Sequence, residues 1–143
     1  MLRGGTGEKL GGKLIRTHGK LQGKKTKAIK MVKEAFEEVQ KRTKTNPIQV
    51  LIRALENSAP REDTTRVRFG GMSYQIAVDI SSQRRLDLAL RNIVLASISA
   101  AFDKKLTLKD ALVNEITLAA SNDPASFSVK RKNEIERIAR SAR

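Results

Sequence analysis

The sequence predicts a mainly α-helical protein, a bundle of about five helices with one protruding β-hairpin arm and a basic N-terminal extension. Apolar residues recur at steps of three and four through most of the chain, which is the helical period. Residues 66–80, RVRFGGMSYQIAVDI, instead alternate on both sides of a glycine pair. At 143 residues the chain has room for one modest core.

The N-terminal segment, residues 1–24, is predicted to be a flexible basic arm, with residues 25–143 forming a single helical domain. The arm holds seven of the nine glycines and has no sustained apolar period. His18, the only histidine, also lies in it. We therefore expect the arm to become ordered mainly on its partner.

The first two helices are predicted over residues 25–43 and 47–58. Asn46 is a good N-cap, Pro47 suits the first helical position, and Pro60 ends the second helix. The bulky residues at helical spacing are expected to face the core: Ile29, Val32, Phe36 and Val39, then Ile48, Leu51, Ile52 and Leu55.

A loop is predicted over residues 60–65, followed by a β-ribbon over about 65–80. Glycine at both turn positions permits the positive φ angles that a two-residue turn requires. We expect the apolar side chains to pack at least partly on the core; for Tyr74 the core is favoured over stacking on a base. The alternation separates Arg66 and Arg68 from Val67 and Phe69 on either side of the ribbon, with Gly70 and Gly71 at the turn.

The last three helices are predicted over about 83–103, 108–121 and 127–141. Ser81 or Ser82 is expected to cap the first of them, and Thr107 with Asp110 to open the second. Residues expected to face inward are Leu86, Leu90, Ile93, Val94 and Ala101, then Ala111, Leu112, Ile116 and Ala119, then Ile135, Ile138 and Ala142.

The net charge of +14 is concentrated at the two ends of the chain. Residues 1–30 hold nine Lys and Arg against one acid, and residues 128–143 hold six against two. A polyanion neutralises such ends, and counterion release then drives binding to nucleic acid. No membrane association is expected, because no apolar run is long enough to span a bilayer and the basic ends lack a bulky apolar face.

Catalysis is not indicated, and neither is a cofactor or a metal. His18 is the only histidine, and the chain has no cysteine that could form a thiolate metal site. The absence of cysteine also makes a reducing intracellular setting the default expectation. The glycine-rich GGTGEKLGGK lacks the residue order of a phosphate-binding loop. With 3% aromatic residues, a base-stacking platform is not supported either.

The basic clusters predict a surface that reads the phosphates and shape of folded RNA or of a duplex. Each cluster alone is also explained by a solvated surface. The triplet at residues 130–132 lies at a helix start, where the helix dipole disfavours cations, so we expect an external anion to bind there. The clusters are Lys24 and Lys25; Arg66 and Arg68; Arg84, Arg85 and Arg91; and Lys130, Arg131 and Lys132.

The order of these segments resembles the S-seven family of small-subunit ribosomal proteins over residues 20–143. The stretches that carry the resemblance are NPIQVLIRALENSAPRE, GGMSYQIAVDI followed by an Arg-Arg pair, NEITLAASND and SFSVKRKNEIERIARSAR. The first of them is similar to the archaeal and eukaryotic branch. Family members usually carry another amphipathic helix before the glycine-rich segment, and MLRGGTG resembles the end of that helix.

The resemblance implies a structural protein of the cytoplasmic ribosome that takes part in translation. Family members are primary rRNA binders that dock on the 3′ major (head) domain and nucleate its assembly, near the decoding centre. The ribbon reaches toward the exit-site tRNA and the mRNA path, beside a protein of the S-eleven family. By position, rRNA contact falls on the clusters above and on the Gly70-Gly71 turn, and Tyr74 matches the ribbon motif.

Two alternatives remain open at this point. An architectural DNA-binding protein would use the ribbon as an arm in the minor groove. Such proteins usually dimerise, but no self-complementary face is visible and no obligate homo-oligomer is expected. A protein-interaction module would need an exposed apolar patch.

Overall fold

The computed structural model describes residues 5–10, 13–16, 21–102 and 104–143, with side chains from Leu21 onward. In this part of the chain five helices and two two-stranded antiparallel sheets form, so the protein is mainly α with a hairpin arm, as predicted. The elements are β1 (Gly5–Leu10), β2 (Lys13–Arg16), α1 (Lys25–Thr43), α2 (Pro47–Ser58), β3 (Glu62–Phe69), β4 (Met72–Asp79), α3 (Ser82–Ala101), α4 (Leu108–Ala120) and α5 (Phe127–Ser141).

The helix boundaries follow the capping residues of the sequence. The Asn46 side chain accepts a hydrogen bond from the Ile48 amide at 3.0 Å, and Pro47 opens α2. The Thr107 hydroxyl accepts from the Asp110 amide at 3.2 Å and donates to the Asp110 carboxylate at 2.5 Å. These two bonds cap the start of α4, as predicted. Helix α3 begins after Ser81, whose side chain makes no capping hydrogen bond.

The core contains bulky residues that the sequence predicts, among them Val39, Ile93, Leu112 and Ile116, together with small residues that it does not, such as Ala35 and Ala54. In α2 the buried residues are Val50, Ala54 and Ser58, whereas Ile48 and Ile52 are 57% and 49% exposed. Small side chains let helix axes approach closely, so the alanine side of each helix turns inward and the bulky residues lie beside it. The same reason makes the inward predictions wrong for four further residues, all exposed: Ile29, Leu86, Leu90 and Ile138.

The β3–β4 ribbon is longer than predicted, because residues 62–65 form strand rather than loop. The pairing runs without a shift from Glu62 opposite Asp79 to Phe69 opposite Met72. Gly70 and Gly71 form the turn with φ angles of 58° and 81°, the conformation that glycine adopts without strain. The base of the ribbon packs against α5.

The apolar face of the ribbon does not pack on the core, so the prediction for this face and for Tyr74 is wrong. Beyond Thr64 every residue of β3 is exposed, and in β4 only Ala77 is partly buried. Phe69 is 81% exposed and Tyr74 48% exposed. The exposed apolar residues of this face are Val67, Phe69, Met72, Tyr74, Ile76 and Val78.

The N-terminal segment contains the strands β1 and β2, where the sequence indicates no regular element. They pair antiparallel, with an irregularity in register between Gly5 and Lys9. Residues 1–4, 11–12 and 17–20, including His18, lie outside the described residues, and the flexibility of the arm stays a prediction. In the described ranges no helix has the length and apolar character needed to cross a membrane.

Candidate nucleic-acid interface

One face of the ribbon presents two arginines to solvent. The register places Arg66 opposite Gln75 and Arg68 opposite Ser73, so all four share a face with Glu62 at the ribbon base. Both arginines are exposed and form no ion pair with the side chains that the structure describes. The predicted separation of basic and apolar faces is therefore confirmed.

The ribbon base is fixed to the body by ion pairs and a backbone contact. Arg84 at the start of α3 lies 3.8 Å from the Asp63 carboxylate, and the last residue, Arg143, pairs with Glu62. The Arg61 amide donates to Glu136 of α5 at 3.1 Å. Arg84 is thus positioned to orient the ribbon as well as to meet an external phosphate.

A polar cleft of about 810 Å³ lies between the end of α2, the ribbon base, α3 and α5. The Arg85 side chain lines it, and its Nε is buried without a hydrogen-bond acceptor in the described part of the chain. Lys132 of α5 also lines the cleft. The complete lining is Glu56, Asn57, Ala59, Arg61, Glu62, Arg85, Lys132, Glu136 and Arg140.

The start of α5 already holds an internal anion. Glu115 of α4 is buried, and its Oε1 accepts from the Ser128 amide at 2.9 Å. The hydroxyls of Ser126 and Ser128 donate to the same oxygen, each at 2.7 Å. This carboxylate interacts favourably with the helix dipole, which lowers the cost of placing cations at residues 130–132. An external anion at this triplet stays a prediction.

The three residues of that triplet have different surroundings. Lys130 is exposed, Arg131 pairs with Glu134 at 2.8 Å, and Lys132 is partly buried in the cleft. Arg131 is therefore the least available of the three for a phosphate.

The remaining predicted residues do not line the cleft. Lys24 and Lys25 are exposed at the start of α1, a helix that packs on α4 and α2. Arg91 is exposed on α3, two turns beyond Arg84. Of the predicted residues, the structure thus places Arg85 and Lys132 in the cleft and Arg84 beside Asp63 at the ribbon base, and the others do not line the cleft.

Sequence reasoning missed three arginines of this region: Arg61, Arg140 and Arg143. A signal for one of them is present in the last helix. Lys132, Glu136 and Arg140 are spaced by four residues, which places them along one helical face. Arg143 lies beyond the end of that helix. Arg61 has no such signal, because its position depends on how the ribbon leaves α2.

An exposed ribbon with two arginines on one face, beside a cation-lined cleft on a helical bundle, is typical of the nucleic-acid-binding class of proteins. The chain belongs to the ribosomal protein family described as Ribosomal protein S7p/S5e, whose family model matches residues 6–143. The protein is therefore a structural, non-enzymatic constituent of the small subunit of the cytoplasmic ribosome and an rRNA-binding protein.

Two archaeal relatives illustrate the similarity. The chain is 53% identical over 135 residues to the small ribosomal subunit protein uS7 of Methanothermobacter thermautotrophicus. The aligned region covers 94% of this chain and 72% of the relative. It is 52% identical over 136 residues to the protein of the same name in Picrophilus torridus, covering 95% and 72%. The resemblance seen in the sequence is thereby confirmed.

Proposed function

We propose that this protein is a primary rRNA binder that docks on the 3′ major (head) domain of small-subunit rRNA and nucleates assembly of the head. The observation that carries the proposal is the exposed ribbon with two arginines on one face, unpaired among the described side chains, which stands beside a cation-lined cleft at the ribbon base. A surface of this kind contacts phosphates on more than one RNA segment. Binding then fixes the angle between those segments, and later proteins meet a preformed RNA site.

The residues proposed to contact rRNA have two roles. Arg66, Arg68 and the Gly70-Gly71 turn enter between RNA segments, because the ribbon stands clear of the body. The others bind phosphates along the body and position the RNA without reading its sequence. This second group comprises Lys24, Lys25, Arg84, Arg85, Arg91, Lys130, Arg131 and Lys132, of which Arg84 and Arg131 also form internal ion pairs.

The ribbon tip is proposed to lie near the decoding centre, facing the exit-site tRNA and the mRNA path. Its apolar face is proposed to receive the neighbouring S-eleven family protein. Phe69 and Met72 at the tip are 81% and 62% exposed, and contiguous apolar surface of this kind marks protein contacts. The two faces of one ribbon would thus serve RNA and protein separately.

A salt-dependent binding titration tests the rRNA assignment. A head-domain fragment of small-subunit rRNA is compared with duplex DNA of equal length over a range of salt concentrations. We expect a preference for the rRNA that survives moderate salt, because the fixed spacing of ribbon and cleft matches a folded RNA. Equal affinity with the same steep salt slope for both would contradict the proposal and favour the architectural DNA-binding alternative.

A further inference from the structure

We infer that the cleft at the ribbon base is a binding site for one RNA phosphodiester group, held by Arg85 and Arg140. The inference rests on the proposed function, since it identifies which part of the RNA enters this region. It adds a specific site to a surface that is otherwise a set of separate charges.

The first observation is the unsatisfied donor in the cleft. Arg85 Nε is buried and has no acceptor among the described residues, although buried donors in proteins are almost always paired. No carboxylate oxygen of the described side chains lies within 4.0 Å of the Arg85 guanidinium nitrogens. Arg85 thus brings to the cleft lining a planar donor group whose Nε has no acceptor among the described residues.

The second observation is the distribution of charge around that donor. Four cations line the cleft against three carboxylates: Arg61, Arg85, Lys132 and Arg140 against Glu56, Glu62 and Glu136. One of the carboxylates, Glu62, is already paired with the cation Arg143, whereas Glu136 accepts from the neutral Arg61 amide and keeps its charge. An incoming anion therefore meets more free positive than free negative charge.

The shape and size of the site favour a phosphodiester over a single ion or a water. The cleft volume of about 810 Å³ is that of a small-molecule site and far exceeds the space of one bound water. Guanidinium groups match phosphate oxygens in a bidentate geometry. Glu62, which lines the cleft and pairs with Arg143, shares the ribbon face of Arg66 and Arg68, so the cleft lies at the base of that face.

The site also connects RNA binding to the position of the ribbon. Its cations come from three places: Arg61 from the ribbon base, Arg85 from α3, and Lys132 and Arg140 from α5. A phosphate between them attracts all three toward one centre. Binding of this group is thus expected to hold the ribbon base against the helical body.

The first test measures the salt dependence of rRNA binding for Arg85→Gln, Arg140→Gln and the double variant. Arg53→Gln is the matched control, because Arg53 is exposed on α2, outside the cleft and without an ion pair among the described side chains. Arg85→Gln should flatten the slope of log K against log salt by about 0.7 to 0.9, the value for one phosphate. The double variant should lose about one unit in total, since both arginines serve the same phosphate.

The second test needs no variant and uses inorganic phosphate as the probe. The Nε–Hε signals of the arginines are followed by NMR in the full chain while phosphate is added. The Arg85 signal should shift in a saturable way, and the Arg53 signal should not.

A third test measures rRNA binding by Arg85→Lys. This variant keeps the charge but removes the planar donor, so it should weaken rRNA binding more than Arg53→Gln does.

The outcomes separate the cleft from the general function. If the wild type prefers rRNA but Arg85→Gln behaves as Arg53→Gln does, the cleft holds only water and the inference is overturned. If the wild type shows no preference for rRNA, the proposed function fails, and the phosphate titration alone decides the cleft. An Arg85 signal that does not move would then overturn the inference as well.

Discussion

At the scale of single residues, three donors converge on one oxygen of the buried Glu115 side chain. They come from Ser126 and Ser128 at the start of α5, and Ser58 of α2 lies 3.1 Å from the Ser128 hydroxyl. One carboxylate thereby joins α4 to α5, with α2 attached through a serine. The sequence gives no indication of this contact, because a glutamate in a helix is most often a solvated residue.

Glu115→Ala should destabilise the protein by about 3 kcal/mol or more, because it leaves buried donors without their charged acceptor. Glu115→Gln retains an acceptor oxygen and should cost roughly 1 to 2 kcal/mol. The free energy of unfolding in urea, followed by circular dichroism, measures both. Glu37→Ala, on the exposed side of α1, is the control and should change stability by less than about 0.5 kcal/mol; an equal loss in Glu115→Ala and Glu37→Ala would contradict this role.

At the scale of secondary-structure elements, the boundaries were predictable, whereas the buried side was predicted correctly for α4 and only in part for α2 and α3. Asn46, Thr107 and the Gly70-Gly71 turn act through hydrogen bonds and φ angles within a few residues, so local sequence is sufficient. Which side of a helix is buried depends on its neighbours, and here alanines and serines allow close approach. The same dependence on distant partners hid the cleft, whose lining comes from four parts of the chain.

Helix α2 offers a direct test of small-residue packing. Ile52→Ala should change the free energy of unfolding by less than about 1 kcal/mol, because the side chain is already half exposed. Ala54→Leu should destabilise by about 1 to 3 kcal/mol, because Ala54 is fully buried and a larger side chain overpacks the core. Denaturant unfolding of both variants gives the comparison, and a larger loss for Ile52→Ala would mean that α2 packs through its bulky side.

The ribbon should be separable from the fold. Removing residues 66–69 and 72–75 joins Thr65 and Ile76, which are paired opposite each other, through Gly70 and Gly71. The helical signal at 222 nm and the melting temperature should stay near those of the full chain, since the deleted residues are exposed. The shortened protein should bind head-domain rRNA more weakly. Loss of the cooperative melting transition would show instead that the outer ribbon supports the core.

At the scale of the whole molecule, the ribbon and the first helix pack against different parts of the bundle. The ribbon packs against α5, and α1 packs against α4 and α2. The acids of α1 are grouped in its middle, at Glu34, Glu37 and Glu38, whereas Lys24 and Lys25 lie at its start. We expect rRNA to bind on the ribbon side of the molecule, with the middle of α1 away from the phosphates.

Directed hydroxyl-radical cleavage measures this orientation most directly. The chain has no cysteine, so a single Ser73→Cys substitution on the basic ribbon face accepts an iron chelate at one position only. Glu37→Cys on α1 serves as the control. In complexes with the head-domain rRNA fragment, we expect strong, localised cleavage from position 73 and little from position 37. Equal cleavage from both positions, or stronger cleavage from position 37, would contradict it.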